Sequence, residues 1–391
     1  VATVKTGLDR LLAADCAALQ GQRVGLLVHP ASIDSRLRHG ATCLYETDSV
    51  DLRVLFGPQH GIRGETQDNM IEWEGFTDPM TGLPVHSLYG QHRKPTAAML
   101  ADIDTLVVDL QDVGARYYTF IWTMLLCLQA CAESGIRVLV LDRPNPLGGV
   151  ATEGTVLDPE FRSFVGLASI PMRHGLTAGE LARLFVYHGE LAVDLEVLWM
   201  EGWRRSMNFA DTELPWVLPS PNMPTLDTAF VYPGGCLLEG TELSEGRGTT
   251  RPFEIFGAPF IDPEVLAGFL ETLQLSGVHW RPVHFQPTFH KFAGEVCGGV
   301  QVHVLDRRRF EPVLAYTAAI AAIARIYPGQ FAWKQPPYEY ETVKLPIDIL
   351  AGGAVWRESV LAGASPEQLR AAWAEPLGEF ARTSAEFRHY D

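Results

Sequence analysis

Five short apolar runs constrain this chain more than any other feature. They are VGLLVH at 24–29, LRVLF at 52–56, TLVVDL at 105–110, RVLVLD at 137–142 and LEVLWM at 195–200. Each has strand length, and helical periodicity fills much of the space between them, notably over 118–134 and 177–188. Thr177 and Glu180 stand in capping-box spacing, as do Thr6 and Asp9 at the head of a helix expected over 6–19. Near-continuous apolar strands are covered on both faces, and alternation with helices makes them parallel. The expected class for residues 1–205 is therefore α/β, a doubly wound, mostly parallel sheet.

A chain of 391 residues exceeds one ordinary core, and its texture changes near 206. Pro215, Pro219, Pro221 and Pro224 punctuate a stiff crossing that holds Asn222 in an extended context. Beyond it the pattern predicts helices over 262–274 and 310–327, strands over 278–286 and 298–305, and a last helix opened by Ser365, Pro366 and Gln368. Residues 206–391 thus read as a linker and a smaller α+β domain.

The formal net charge of −16 argues against nucleic acid and against an anionic membrane surface as partners. Six cysteines without zinc spacing, and no HExxH, indicate packed thiols and no metal site. No apolar run is long enough to span a bilayer. No signal-peptide pattern opens the chain at Val1, which favours the cytoplasm; a periplasmic or secreted location follows if a leader has been removed. GxGxxG, the phosphate-binding GxxxxGK[ST] and GxSxG are all absent, so no cofactor is expected. Oligomeric state leaves no trace in the sequence.

In doubly wound sheets, ligands bind beyond the carboxyl ends of the strands. The second strand is followed by Gln59, His60, Arg63, Glu65, Gln67, Asp68 and Asn69 among glycines. The third is followed by Gln111, Asp112, Arg116 and Tyr117, the fourth by Arg143 and Asn145. Singly, each has a structural account: Asp142 pairing Arg143, Asp112 capping the next helix. Together, on the edge where sites form, they indicate a functional cleft. The stretch EGTELSEGRGTTRPF at 239–253 adds Glu239, Glu245, Arg247 and Arg251 in a glycine-rich loop between apolar stretches. Its acids serve either catalysis or ion pairs with Arg247 and Arg251.

Acids, arginines, amides and aromatics, without a serine–histidine pair, suit a carbohydrate; glycosidic cleavage needs a protonated acid and a second group that activates water or stabilises a cation. The motifs FGPQHGIRG, TGLPVHSLYG, DLQDVGARYYT, LDRPNPLGG, PSPNMPT and EGTELSEGRGTTRPF, in this order across nearly the whole chain, resemble the bacterial exo-β-N-acetylmuramidase (NamZ-like) family. The resemblance implies a Rossmann-like first domain, a smaller second domain, an active-site cleft between the two, and release of N-acetylmuramic acid from non-reducing ends of peptidoglycan fragments, with arginines available to the lactyl carboxylate. It also implies glutamate, in a PEHG motif, where this chain carries Gln59. An amide has no titratable proton, so either Glu65 or Asp112 takes over or the activity is altered or lost; Glu65 is the first candidate for general acid. Asp112, Glu239 and Glu245 are candidates for the second carboxylate, and Gln59, His60, Arg63, Arg116, Tyr117, Arg143, Asn145, Asn222 and Arg247 for substrate binding. A non-catalytic muropeptide or sugar binder, or another sugar-processing enzyme on the same fold, remains an alternative.

Overall fold

The computed structural model describes residues 4–68 and 70–391. Asn69, one of the polar residues grouped after the second strand, lies outside the described residues. In chain order the strands are β1 (Arg23–Leu27), β2 (Asp51–Gly57), β3 (Phe76–Thr77), β4 (Pro84–Ser87), β5 (Thr105–Val108), β6 (Arg137–Leu141), β7 (Glu153–Val156), β8 (Pro171–Arg173), β9 (Leu195–Leu198), β10 (Ile255–Ala258), β11 (Val278–Phe285) and β12 (Cys297–Val304). The five apolar runs supply β1, β2, β5, β6 and β9. They lie in one seven-stranded sheet of order β3-β4-β2-β1-β5-β6-β9, parallel except for the short β3. β5, buried along its whole length, shows why its sequence is continuously apolar. A second, antiparallel sheet has the order β10-β12-β11, and β7 pairs with β8.

Helix boundaries follow local chemistry. Thr177 with Glu180, and Ser365 with Gln368, close reciprocal capping boxes. The first helix does the same with Thr6 and Asp9 but stops at Ala13, short of the expected 19, because Asp15 and Cys16 take left-handed φ values of 50° and 53°. Cys16 and Leu19 remain buried across that break, so the apolar pattern outlasts the helix. All six cysteines are buried and unbridged.

The crossing over 199–225 lies across the carboxyl ends of β1, β5 and β6. Phe209 donates its N–H to Pro146 O at 3.0 Å. The Pro219 carbonyl stands 3.3 Å from His29 Nδ1. Phe209, Leu214, Pro215 and Trp216 share a small hollow with Gln111 and Arg143. The position where such a sheet usually takes its ligand is thus largely covered by the chain itself.

Beyond the crossing, helix Leu226–Gly235 packs against helix Pro312–Ile326 so closely that a Cβ on Gly234 would lie 2.0 Å from Pro312 O. One apolar cluster runs from Leu27 and Val54 through helix Phe120–Ser134 to Phe256 and Trp280. Polar bolts join the same parts. Glu153 accepts from the N–H groups of Val313 and Leu314 at 2.5 and 3.1 Å, which caps a helix N-terminus. The last residues return to the first sheet, where Tyr390 donates to Asp142 Oδ2 at 2.6 Å.

Candidate active site

A hollow of about 470 Å³, counting the solvent at its open mouth, lies beside the end of β2. Separate segments build it. Gln59 and His60 follow β2, and Tyr117, Tyr118 and Thr119 precede helix Phe120–Ser134. Ser220 and Asn222 come from the crossing. Tyr232, Glu239, Arg247 and Phe253 come from the second sheet's surroundings, and Tyr338 and Glu339 from a late loop.

On one wall, Arg247 Nη2 donates to Glu239 Oε1 at 2.8 Å, and Tyr338 Oη donates to Glu239 Oε2 at 2.7 Å. Arg247 Nε lies 3.4 Å from Glu245 Oε1. Burial works against the guanidinium's charge, but Glu239 and Glu245 outweigh it and raise the Arg247 pKa. The turn that sets Arg247 between two glutamates needs glycine on each side: Gly246 and Gly248 have φ of 77° and 80°. A Cβ on Gly246 would meet Ile255 O at 2.3 Å.

Glu339 faces the same hollow. Tyr89 donates to its Oε2 at 3.0 Å. Burial, with the Glu239 charge adding, pushes its pKa up to about 7 against the opposing effects of the Tyr89 hydrogen bond, Arg93 and Arg247. His60 bonds Thr66 O through Nδ1 at 2.8 Å, and because a carbonyl can only accept, Nδ1 carries the proton. Burial lowers the His60 pKa to about 4, which keeps the ring neutral and leaves Nε2 an acceptor. Thr119 donates to Gln59 Oε1 at 2.7 Å, and Asn222 Nδ2 holds Gln67 O at 2.5 Å, tying the loop after β2 to the crossing.

Of the residues singled out in the sequence, Gln59, His60, Tyr117, Asn222, Glu239 and Arg247 line this hollow. Tyr117 presents its ring, its hydroxyl being spent on Pro233 O at 2.5 Å. The others take different places. Glu65 is exposed on the loop after β2. Arg63 lies over the Phe76 ring at 4.7 Å. Asp112 Oδ2 accepts from Gly114 N at 2.7 Å and meets His174 Nε2 at 3.1 Å, behind the wall that Tyr118 forms. Arg116 is a buried bolt, donating to Thr155 O and Leu350 O at 2.7 Å and to Ile170 O at 2.9 Å. Arg143 pairs Asp109, with Nε 2.5 Å from Oδ1, not Asp142. Asn145 accepts from Leu147 N within its own loop and donates to Leu176 O on a second loop, both at 3.0 Å. Glu245 is fully buried among Arg247, Lys291 and His290. Arg251 pairs Glu254 at 3.2 Å rather than Glu245. Most of the strand-end polar groups are taken up by partners inside the protein, several of them on distant segments, and the crossing covers that edge.

Tyr338 and Glu339 fall in none of the motifs singled out in the sequence, although QPPYEYE at 335–341 carries a usable signal, a stiff proline pair followed by aromatic–acid–aromatic. Among the described residues, no group of three or more His, Cys, Asp or Glu is placed to hold a metal, and no helix is long and apolar enough to cross a membrane.

Two family models match nearly end to end. Residues 24–227 match the model described as exo-beta-N-acetylmuramidase NamZ, N-terminal, and residues 230–390 match its C-terminal counterpart. The peptidoglycan beta-N-acetylmuramidase NamZ of Bacillus subtilis (strain 168) is 45% identical over 387 residues, which cover 99% of this chain and 91% of that protein. Two crystal structures of DUF1343 family proteins from Bacteroides fragilis NCTC 9343 share the fold. One has a TM-score of 0.88 at 35% identity, covering 100% of this chain and 99% of the other. The second has a TM-score of 0.75 at 26% identity, covering 99% of each.

Proposed function

The chain belongs to the NamZ exo-β-N-acetylmuramidase family, and on that premise we propose that it is a glycoside hydrolase that removes N-acetylmuramic acid from the non-reducing ends of peptidoglycan fragments. The observation that carries this reading is one hollow lined by two carboxyls, Glu239 and Glu339, delivered from segments far apart in sequence. Glycoside cleavage passes through a cationic, oxocarbenium-like state that a fixed carboxylate stabilises. Glu239 fills that role, oriented by Arg247 and Tyr338 at 2.8 and 2.7 Å. Tyr117, Tyr118 and Tyr232 offer ring faces to the sugar. Gln59 and Asn222 supply amide groups to its hydroxyl and acetamido substituents, the neutral His60 accepts through Nε2, and Arg247 draws the lactyl carboxylate.

The test is hydrolysis of a chromogenic aryl β-N-acetylmuramide beside the matching β-N-acetylglucosaminide. The muramide is expected to be cleaved and the glucosaminide to be spared or cleaved far more slowly. Release from neither overturns the reading. Calorimetric binding of N-acetylmuramic acid without turnover would replace it with a carbohydrate-binding function.

A further inference from the structure

We propose that Glu339, carried by the late loop over 335–344, is the residue that protonates the departing sugar oxygen. The inference rests on the hydrolase reading above and deepens it. Position 59, in the lining of the same hollow, holds an amide and cannot donate a titratable proton. Glu65, the nearest acid in sequence after it, is exposed. A proton donor therefore has to come from elsewhere in the lining, and only two acids are there among the described residues, Glu239 and Glu339.

Their hydrogen bonding separates them. Both oxygens of Glu239 accept, one from a guanidinium and one from a phenol. That arrangement holds a carboxylate, not an acid. Glu339 has no ion pair among the described residues. Tyr89 engages Oε2 at 3.0 Å, and Oε1 takes no hydrogen bond from a described residue. The group is 4% exposed, so its charged form is disfavoured.

The loop that carries it is braced. Glu339 and Tyr340 take φ of 43° and 70°, a region that non-glycine residues enter at a cost and that recurs at functional sites. Arg93 lies 3.3 Å from the centre of the Tyr340 ring, and Tyr340 Oη donates to Glu72 at 3.0 Å. The Glu339 N–H stands 3.3 Å from Met70 Sδ. A donor held by packing from the first sheet's excursion keeps its aim through the reaction.

The charged and titratable groups around Glu339 are Tyr89 and Arg93 from the segment after β4, Glu239 and Arg247 from the glycine-rich stretch, Tyr338 and Tyr340 from its own loop, and the neutral His60 across the hollow. Burial first, then the Glu239 charge, raise its pKa to about 7, so a large share of molecules carry the proton at neutral pH.

In the step, the bond between the anomeric carbon and the bridging oxygen breaks, and its electron pair stays with that oxygen. The Glu339 proton passes to it, and the sugar leaves as a neutral alcohol. The oxygen of a water molecule forms the new bond to the anomeric carbon, and a proton from that water restores Glu339.

The experiment compares wild type with Glu339→Gln on two substrates: N-acetylmuramic acid β-linked to N-acetylglucosamine, whose leaving alcohol needs a proton, and a dinitrophenyl β-N-acetylmuramide, whose leaving group does not. Glutamine keeps an acceptor for Tyr89, and melting temperature reports on the fold. A loss of about 10²–10⁴-fold in kcat/KM on the disaccharide, with a far smaller loss on the dinitrophenyl glycoside and disappearance of the alkaline limb of the pH profile, supports the assignment. Full activity on the disaccharide overturns it, as do equal losses on both substrates. Wild type that cleaves neither substrate overturns the hydrolase reading itself; wild type that cleaves both while the variant does too removes only Glu339.

Discussion

The corner around Glu245 and the corner around Glu339 bury a carboxyl to nearly the same depth, at 0% and 4% exposure. Their pKa values nevertheless move in opposite directions, because the cations at one corner outweigh burial and those at the other do not. Burial raises the pKa of Glu245, but Lys291, His290 and Arg247 outweigh it and hold the group far below the usual carboxylate range. At Glu339 burial is the largest influence and the Glu239 charge adds to it; the Tyr89 hydrogen bond, Arg93 and Arg247 oppose it without outweighing it, and the pKa rises to about 7. Burial alone therefore does not tell a proton donor from a structural ion; the sign and reach of adjacent charge do. The first corner fixes the turn that presents Arg247, and the second offers an acid to the hollow.

Removing Arg247 breaks the contrast most completely, because it touches both corners. Arg247→Met leaves Glu239 and Glu245 short of a buried cation. It is expected to lower stability by about 3–5 kcal/mol in urea unfolding and activity by at least about 10²-fold. Glu245→Gln tests the structural corner alone. A stability loss of about 3 kcal/mol is expected, with the preference among leaving groups unchanged in rate assays.

The pH dependence sharpens the comparison. Glu339 has a folded pKa above its unfolded value, so its contribution to stability is full below about 4.5 and is lost as pH rises through about 7. Glu245 has a folded pKa below its unfolded value, so its contribution is present above about 4.5 and is lost as pH falls towards the folded value. Melting curves should show Glu339→Gln gaining on wild type between pH 5 and pH 8, while the deficit of Glu245→Gln narrows only on the acid side. Asn145→Ala, which cuts a loop staple outside the hollow, is expected to cost about 1–2 kcal/mol in unfolding with kcat/KM unchanged. The smallest effect is expected for the exposed Glu65→Gln, within about twofold of wild type in activity, as surface changes usually are.

The strands were legible because burial on both faces writes itself into consecutive apolar residues, as in TLVVDL. Capping boxes at Thr177 and Ser365 were legible because the motif is local. Part of the hollow was legible too: Gln59, His60, Asn222, Glu239 and Arg247 sit in glycine- or proline-marked loops that look unfit for a core. Asp112, Arg143 and Asn145 carry the same marks yet are taken up by His174, Asp109 and the Leu176 carbonyl outside the lining of the hollow, and nothing local separates the two outcomes. Glu339 was hidden for another reason. Its environment is made by Tyr89, 250 positions away, and by Glu239 on another segment. A pKa set by tertiary neighbours has no sequence period.

The most direct measurement is release of N-acetylmuramic acid from the disaccharide that carries it at the non-reducing end, followed by mass spectrometry for wild type and Glu239→Gln side by side. Steady release by wild type, reduced at least about 10²-fold in the variant, is the predicted result. Release at equal rates by both proteins would mean that the sugar is cut somewhere other than this hollow, and would contradict the account.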